Sequence, residues 1–124
     1  DPSPDLARLP DADQVLISAP EVSVVIDYPL KNEFVFKLRS TGDLTKGELA
    51  QLISDQYQQI YEEEEKSATI KTIPQTQRKP LYNRNETNGK YGIWGHDLSD
   101  LVLSGIRIHQ QSNGEIILSL EIES

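Results

Sequence analysis

The chain of 124 residues predicts an α+β domain: a four-stranded, mainly antiparallel sheet with one long helix packed on one face. Three observations carry this. Strand-like alternation of apolar and polar residues occurs twice near the start and twice at the end. One capped, amphipathic helical segment lies between the two pairs. A long aperiodic stretch then separates that helix from the second pair.

Residues 1–14, DPSPDLARLPDADQ, hold three Pro and four Asp and read as a flexible leader, with 15–124 as one domain. VLIS at 15–18 is a short apolar segment suited to an edge strand or to covering a sheet face. EVSVVIDY (21–28) puts Val22, Val24, Ile26 and Tyr28 on one side, and EFVFKLRS (33–40) does the same with Phe34, Phe36 and Leu38. That is the strand period of two. The short PLKN connection between them predicts an antiparallel hairpin.

The helix is the clearest element. Thr45 with Glu48 three residues later forms a capping box. Leu49, Leu52, Ile53, Gln56, Ile60 and, at the margin, Tyr57 recur at helical spacing, which predicts a helix over 46–65. It ends in EEEE (62–65), where negative charge opposes the helix dipole. A solvated helix end accounts for the run; a docking site for a basic segment, including this chain's Arg78 and Lys79, is the alternative. Residues 67–95 show no period. DLSDLVLSG (97–105) predicts a short helix with Asp97 as N-cap, Leu98, Leu101 and Val102 facing inward, and Gly105 closing it. IRIHQQ and GEIILSLEIES then alternate around Asn113-Gly114, a strong hairpin signal. This order is shared with β-grasp domains and is compatible with a split β-α-β arrangement. Neither carries a function with it.

Composition narrows the function classes. Net charge is -8, from 12 basic and 20 acidic residues. A phosphate-backbone groove needs concentrated Lys and Arg, so a nucleic-acid partner is disfavoured. Arg78 and Lys79, with Arg84 and Lys90 nearby, make the one thin basic cluster. With no Cys, disulfides, thiolate metal sites and thiol nucleophiles are excluded. No apolar run approaches the ~20 residues of a membrane span. A soluble, intracellular setting without membrane insertion is the expectation. No phosphate loop or dinucleotide fingerprint is present, so no cofactor is expected.

The least common residues gather in NRNETNGKYGIWGHDLSD (83–100). His96 beside Asp97 is the first candidate for proton transfer, and Asp100 and Arg84 could assist a small hydrolase or transferase with His96 as general base. Nothing marks a nucleophile for a triad, and Asp97 has a sufficient role as a cap. His96, Asp97, Asp100 and the distant His109 lack metal-ligand spacing, so no metal site is expected. Tyr91 and Trp94, flanked by Gly92 and Gly95, offer flat area with polar edges, as binding surfaces do. Trp94 as a plug at the end of the core is the competing role. Asn85-Glu86-Thr87 matches a glycosylation acceptor, relevant only in a secretory compartment. The favoured expectation is a non-catalytic module that binds a protein or peptide through loop 74–96, using Asn83, Arg84, Asn85, Tyr91, Trp94 and His96. A third expectation is a homo-oligomer or assembly subunit, with Val25, Val35 and Ile117 forming an apolar patch on the outer sheet face.

Overall fold

A computed structural model describes residues 15–17, 21–39, 43–78 and 84–124. In chain order the elements are β1 (Val15–Ile17), β2 (Glu21–Ile26), β3 (Phe34–Arg39), β4 (Leu44–Thr45), α1 (Lys46–Ser67), β5 (Val102–Gln110) and β6 (Ile116–Glu123). Single 3-10 turns occur at Gln75–Gln77 and Leu98–Asp100. The main sheet has the order β3-β2-β6-β5. Each hairpin is antiparallel, whereas the central strands β2 and β6 run parallel, with Ser23 beside Ile117 and Val25 beside Ser119. The sheet is therefore mixed. Parallel neighbours need a long crossover, and the connection containing α1 supplies it. The 15–17 segment joins β4 in a separate two-stranded ladder, Val15 opposite Thr45.

The core lies between the sheet and α1. Val22, Val24 and Ile26 of β2 meet Leu49, Ile53, Tyr57 and Ile60 of α1 and Leu103 and Leu118 of the second hairpin, all buried. Each such apolar side chain contributes about 1.5–3 kcal/mol on burial. Phe34, Phe36 and Leu38 pack half-buried at the margin. The capping box forms as expected: Glu48 N–H donates to the Thr45 hydroxyl at 3.1 Å, and Thr45 N–H to the Glu48 carboxylate at 2.9 Å. The buried stripe of α1 is rotated from its expected position. Leu52 is exposed and Gln56 half-buried, while Tyr57 is fully buried, its hydroxyl donating to the Tyr28 carbonyl at 2.7 Å. The stripe then continues one turn further, to Glu64.

The short helix expected over 97–105 is reduced to the 3-10 turn Leu98–Asp100, and β5 starts at Val102. Leu101 and Leu103 are buried and Val102 and Ser104 exposed, a strand alternation. Gly105 does not close a helix; it follows a bulge opposite Glu121 and Ile122. Pairing with β6 runs from Val102 to Gln110 and satisfies the β5 backbone groups that face it, more than an isolated two-turn helix could.

Candidate functional site

The last turn of α1 organises the loop that follows. Glu64 is fully buried. Its carboxylate accepts hydrogen bonds from the Thr87 hydroxyl at 2.5 Å and from the N–H groups of Gly89 at 2.8 Å, Tyr91 at 2.8 Å, Gly92 at 3.1 Å and Ile93 at 3.4 Å. Successive amides converging on one anion form a nest, here filled by the chain's own side chain. Burial pushes the Glu64 carboxyl pKa up, but the hydrogen bonds from Thr87, Tyr91, Gly89 and Gly92 outweigh it and hold it below the usual range. The loop must come very close: a Cβ on Gly89 would lie 2.6 Å from the Glu64 carbonyl oxygen. Gly92 has φ +67°, which glycine adopts without strain.

A buried cation completes the network. Arg84 is 4 % exposed. Its Nη1 donates to the carbonyls of Asn85 and Ile93, both at 3.2 Å, and to the Thr87 hydroxyl at 3.3 Å. Its Nη2 donates to the Thr72 hydroxyl at 2.9 Å, and the guanidinium lies 5.3 Å from the Tyr61 ring centroid. Thr72 in turn donates to Glu65 at 2.6 Å, as Thr87 does to Glu64. Two threonine hydroxyls thus each accept from Arg84 and donate to a glutamate. Burial lowers the Arg84 pKa, but a guanidinium stays protonated across the ordinary range. Asn85 and Asn88 staple the segment leaving α1: Asn85 accepts from Ile73 N–H at 2.8 Å, and Asn88 from the N–H groups of Thr69 at 3.0 Å and Ile70 at 2.9 Å.

So fixed, the loop runs beside the β2–β3 turn. Leu30 and Ile93 form an isolated bridge, Lys31 N–H donates to the Gly92 carbonyl at 2.9 Å, and Trp94 N–H to the Pro29 carbonyl at 3.1 Å. The chain end of β2, the loop and the end of β6 then bring three rings together. Tyr28 and Trp94 meet edge to face at 5.2 Å; His96 lies 5.3 Å from Tyr28 and 5.4 Å from Trp94. The Tyr28 hydroxyl is hydrogen-bonded to His96 Nε2 at 2.6 Å and to the Ser124 hydroxyl at 3.0 Å. The His96 carbonyl accepts from the Tyr61 hydroxyl at 2.9 Å. Trp94 remains 37 % exposed. Beside this cluster Arg78 grips Asp97 with two bonds, 2.7 and 2.9 Å, which hold the Asp97 carboxyl below its usual range.

The residues expected to bind therefore fall into two groups. Arg84 and Tyr91, expected on an exposed surface, are 4 % and 2 % exposed, because their polar groups serve the Glu64 network and Tyr91 also donates to Glu63 at 2.5 Å. Asn85 is half-buried and structural. Trp94 and His96 reach the surface together with Tyr28, which alternation alone places on the core face. Asn83 lies outside the described residues, as do 1–14. Among the described residues no hydrogen bond or ion pair joins His96 to Asp97, Asp100 or Arg84. Asp97 spends its carboxylate on Arg78, while Asp100 accepts from the Asp97 N–H at 3.2 Å. No group of three His, Asp or Glu side chains among the described residues could hold a metal ion. On the outer sheet face Val25 is opposite Val35, which is 48 % exposed, but Ile117 is opposite Ser23, so the three form a diagonal and not a row. No helix among the described residues is long and apolar enough to cross a membrane.

Sequence reasoning missed Glu64, and a signal for it existed. Leu49, Ile53, Tyr57, Ile60 and Glu64 are separated by four, four, three and four positions, so the carboxylate falls on the buried stripe. Within an acidic run, that register is what separates Glu64 from its solvated neighbours. The fold and site define an α+β domain with an aromatic cluster at one end of a mixed sheet. Compared with known proteins, the chain matches no family model, no curated protein and no solved structure.

Proposed function

We propose that the chain is a non-catalytic module that binds a protein or peptide through the Tyr28–Trp94–His96 cluster. The observation that supports it is the way the 84–96 loop is built. Glu64 and Arg84 are spent inside, fixing the backbone, while Trp94 is left 37 % exposed at its end. Holding aromatic side chains rigidly before contact lowers the ordering cost of association, and Trp and Tyr in such settings supply much of an interface's binding energy. The catalytic alternative needs His96 to face a carboxylate or a nucleophile, and its ring instead shares a hydrogen bond with Tyr28.

The test is affinity capture with the wild-type chain beside Trp94→Ala, followed by titration of each retained partner against both. Partly exposed Trp94 can be truncated without unfolding the domain, which circular dichroism would verify. The expected outcome is an unchanged spectrum and at least about tenfold weaker binding, a loss of roughly 1.4 kcal/mol. Identical partner sets with identical affinities would remove the reading.

A further inference from the structure

We propose that the outer edge of β5 pairs with the same edge of a second copy of this chain, antiparallel and centred on Ile108, so that two sheets join into one. This contact is separate from the Tyr28–Trp94–His96 cluster and does not depend on the binding-module reading.

The hairpin register defines the edge. β5 is the last strand of the main sheet, nine residues long, and among the described residues no strand pairs with its outer side. Gln111 N–H donates to the Glu115 carbonyl at 2.8 Å, so these opposed residues form a hydrogen-bonded pair. Such pairs alternate along an antiparallel ladder. His109 with Ile117 and Arg107 with Ser119 are therefore the next bonded pairs, and Ile106, Ile108 and Gln110 turn their N–H and C=O groups outward. The side chains of Ile106 and Ile108 share the core face with their partners Leu120 and Leu118. Ile106 is half-buried there, whereas Ile108 is 44 % exposed. An unpaired edge with a β-branched residue exposed on it is a template for another strand.

The edge fits itself in one register. A two-fold axis at Ile108 opposes Ile108 with its own copy and Ile106 with Gln110 in both directions. Each of these pairs has its backbone groups turned to the seam and gains two hydrogen bonds. The two Ile108 side chains meet on the core face and cover one another. On the outer face Arg107 comes opposite His109 of the second copy, and Gly105 opposite its Gln111. Glu121 completes that side: its carboxylate occupies the place a Gly105 side chain would take and pairs with Arg107 at 3.4 Å. The acid thus reaches the seam, where the second copy brings the Gln111 amide and the His109 ring as donors. Neighbouring registers fit less well. An axis at Arg107 opposes two guanidinium groups, a destabilising like-charge pair. One at His109 sets Ile108 on Gln110 and shortens the ladder. One at Ile106 runs Ile108 against Ser104, in the irregular stretch between Leu103 and Gly105. An isologous contact of this kind closes at two copies.

Sedimentation of the full chain from about 1 μM to about 1 mM should show a monomer–dimer equilibrium, unchanged in Trp94→Ala. Ile108→Lys sets two ammonium groups on the axis at an exposed position. It should weaken the dimer at least about tenfold with an unchanged circular dichroism spectrum. Val35→Lys, on the other edge strand and comparably exposed, should leave the dimer as it is. The chain has no Cys, so a single introduced cysteine links only to its own copy. Under mild oxidation Ile108→Cys should cross-link at least about tenfold faster than Arg107→Cys or His109→Cys, because opposed α-carbons of a hydrogen-bonded pair lie about 5.5 Å apart, within disulfide range. A chain that stays monomeric throughout, a dimer that survives Ile108→Lys or is lost in Val35→Lys or Trp94→Ala, or fastest cross-linking at 107 or 109 would overturn the proposal. Partner binding that ignores Trp94→Ala would remove the module reading and leave the dimer standing.

Discussion

The two connections that flank β5 restrain their backbones in different ways. The β5–β6 turn is held by bonds between near neighbours: Gln111 N–H to the Glu115 carbonyl at 2.8 Å, Gly114 N–H to the Gln111 carbonyl at 2.9 Å, and Glu115 N–H to Asn113 Oδ1 at 2.9 Å. Its residues are exposed, and any one bond is replaceable by water. The connection from α1 to β5 is held from a distance, by a carboxylate more than twenty residues away in sequence that gathers one hydroxyl and four amides. Buried polar groups gain strength from a low-dielectric setting but are costly when one partner is lost. The irregular connection should therefore be the more fragile to mutation and the more rigid while intact.

The largest break should come from Glu64→Ala, which leaves several buried donors without an acceptor. About 4 kcal/mol of stability should be lost, read as a melting-temperature drop of about 10 °C or more. Its exposed neighbour supplies the contrast: Glu62→Ala should stay within about 0.5 kcal/mol of wild type. Next in size is Arg84→Met, which keeps an apolar stem over Tyr61 but strands Thr72, Thr87 and two carbonyls. Chemical denaturation should show a loss of about 2–3 kcal/mol. Arg84→Lys should recover little, because an ammonium cannot reproduce the fork that reaches Nη1 and Nη2 partners together.

Acid should act on the same network. The folded Glu64 pKa is depressed by its hydrogen bonds, so its contribution is complete above the ordinary carboxylate value and is lost as pH falls through the folded value. Asp97, depressed by Arg78, adds in the same direction. Stability measured by denaturation should hold from neutral pH down to about pH 5 and decline below about pH 4.5. Glu64→Gln should flatten that decline. The smallest effect belongs to the local turn: Asn113→Ala should cost less than about 1 kcal/mol and leave the Trp94 fluorescence unchanged.

Much of the scaffold was legible because local physics decides it. Alternation at Val22, Val24 and Ile26 found the central strand, Thr45 with Glu48 found the start of α1, and Asn113-Gly114 found the second hairpin. The miss at 97–105 shows where local physics is overruled. Asp97, Leu98 and Asp100 read as a helix start, yet distant β6 claims the backbone from Val102 onward. Two of the three rings of the candidate site were legible. Trp94 and His96 stood out by rarity, and both reach the surface. Arg84 and Tyr91 stood out too, but chemical type alone does not say whether an arginine or a tyrosine faces a ligand or a glutamate of its own chain. Tyr28 joined the cluster only because β2 ends where β6 ends, a consequence of parallel pairing that no local pattern encodes.

Amide hydrogen exchange followed by NMR addresses the central claim, that one carboxylate shapes the loop carrying Trp94. In the wild type the N–H groups of Gly89, Tyr91 and Gly92, though in no strand or helix, should exchange as slowly as those of β2. In Glu64→Gln they should exchange at least about tenfold faster relative to β2 and β6, a local loss of about 1.4 kcal/mol. Equal protection of these three amides in both proteins would show that the loop holds its shape without Glu64, and would contradict the account.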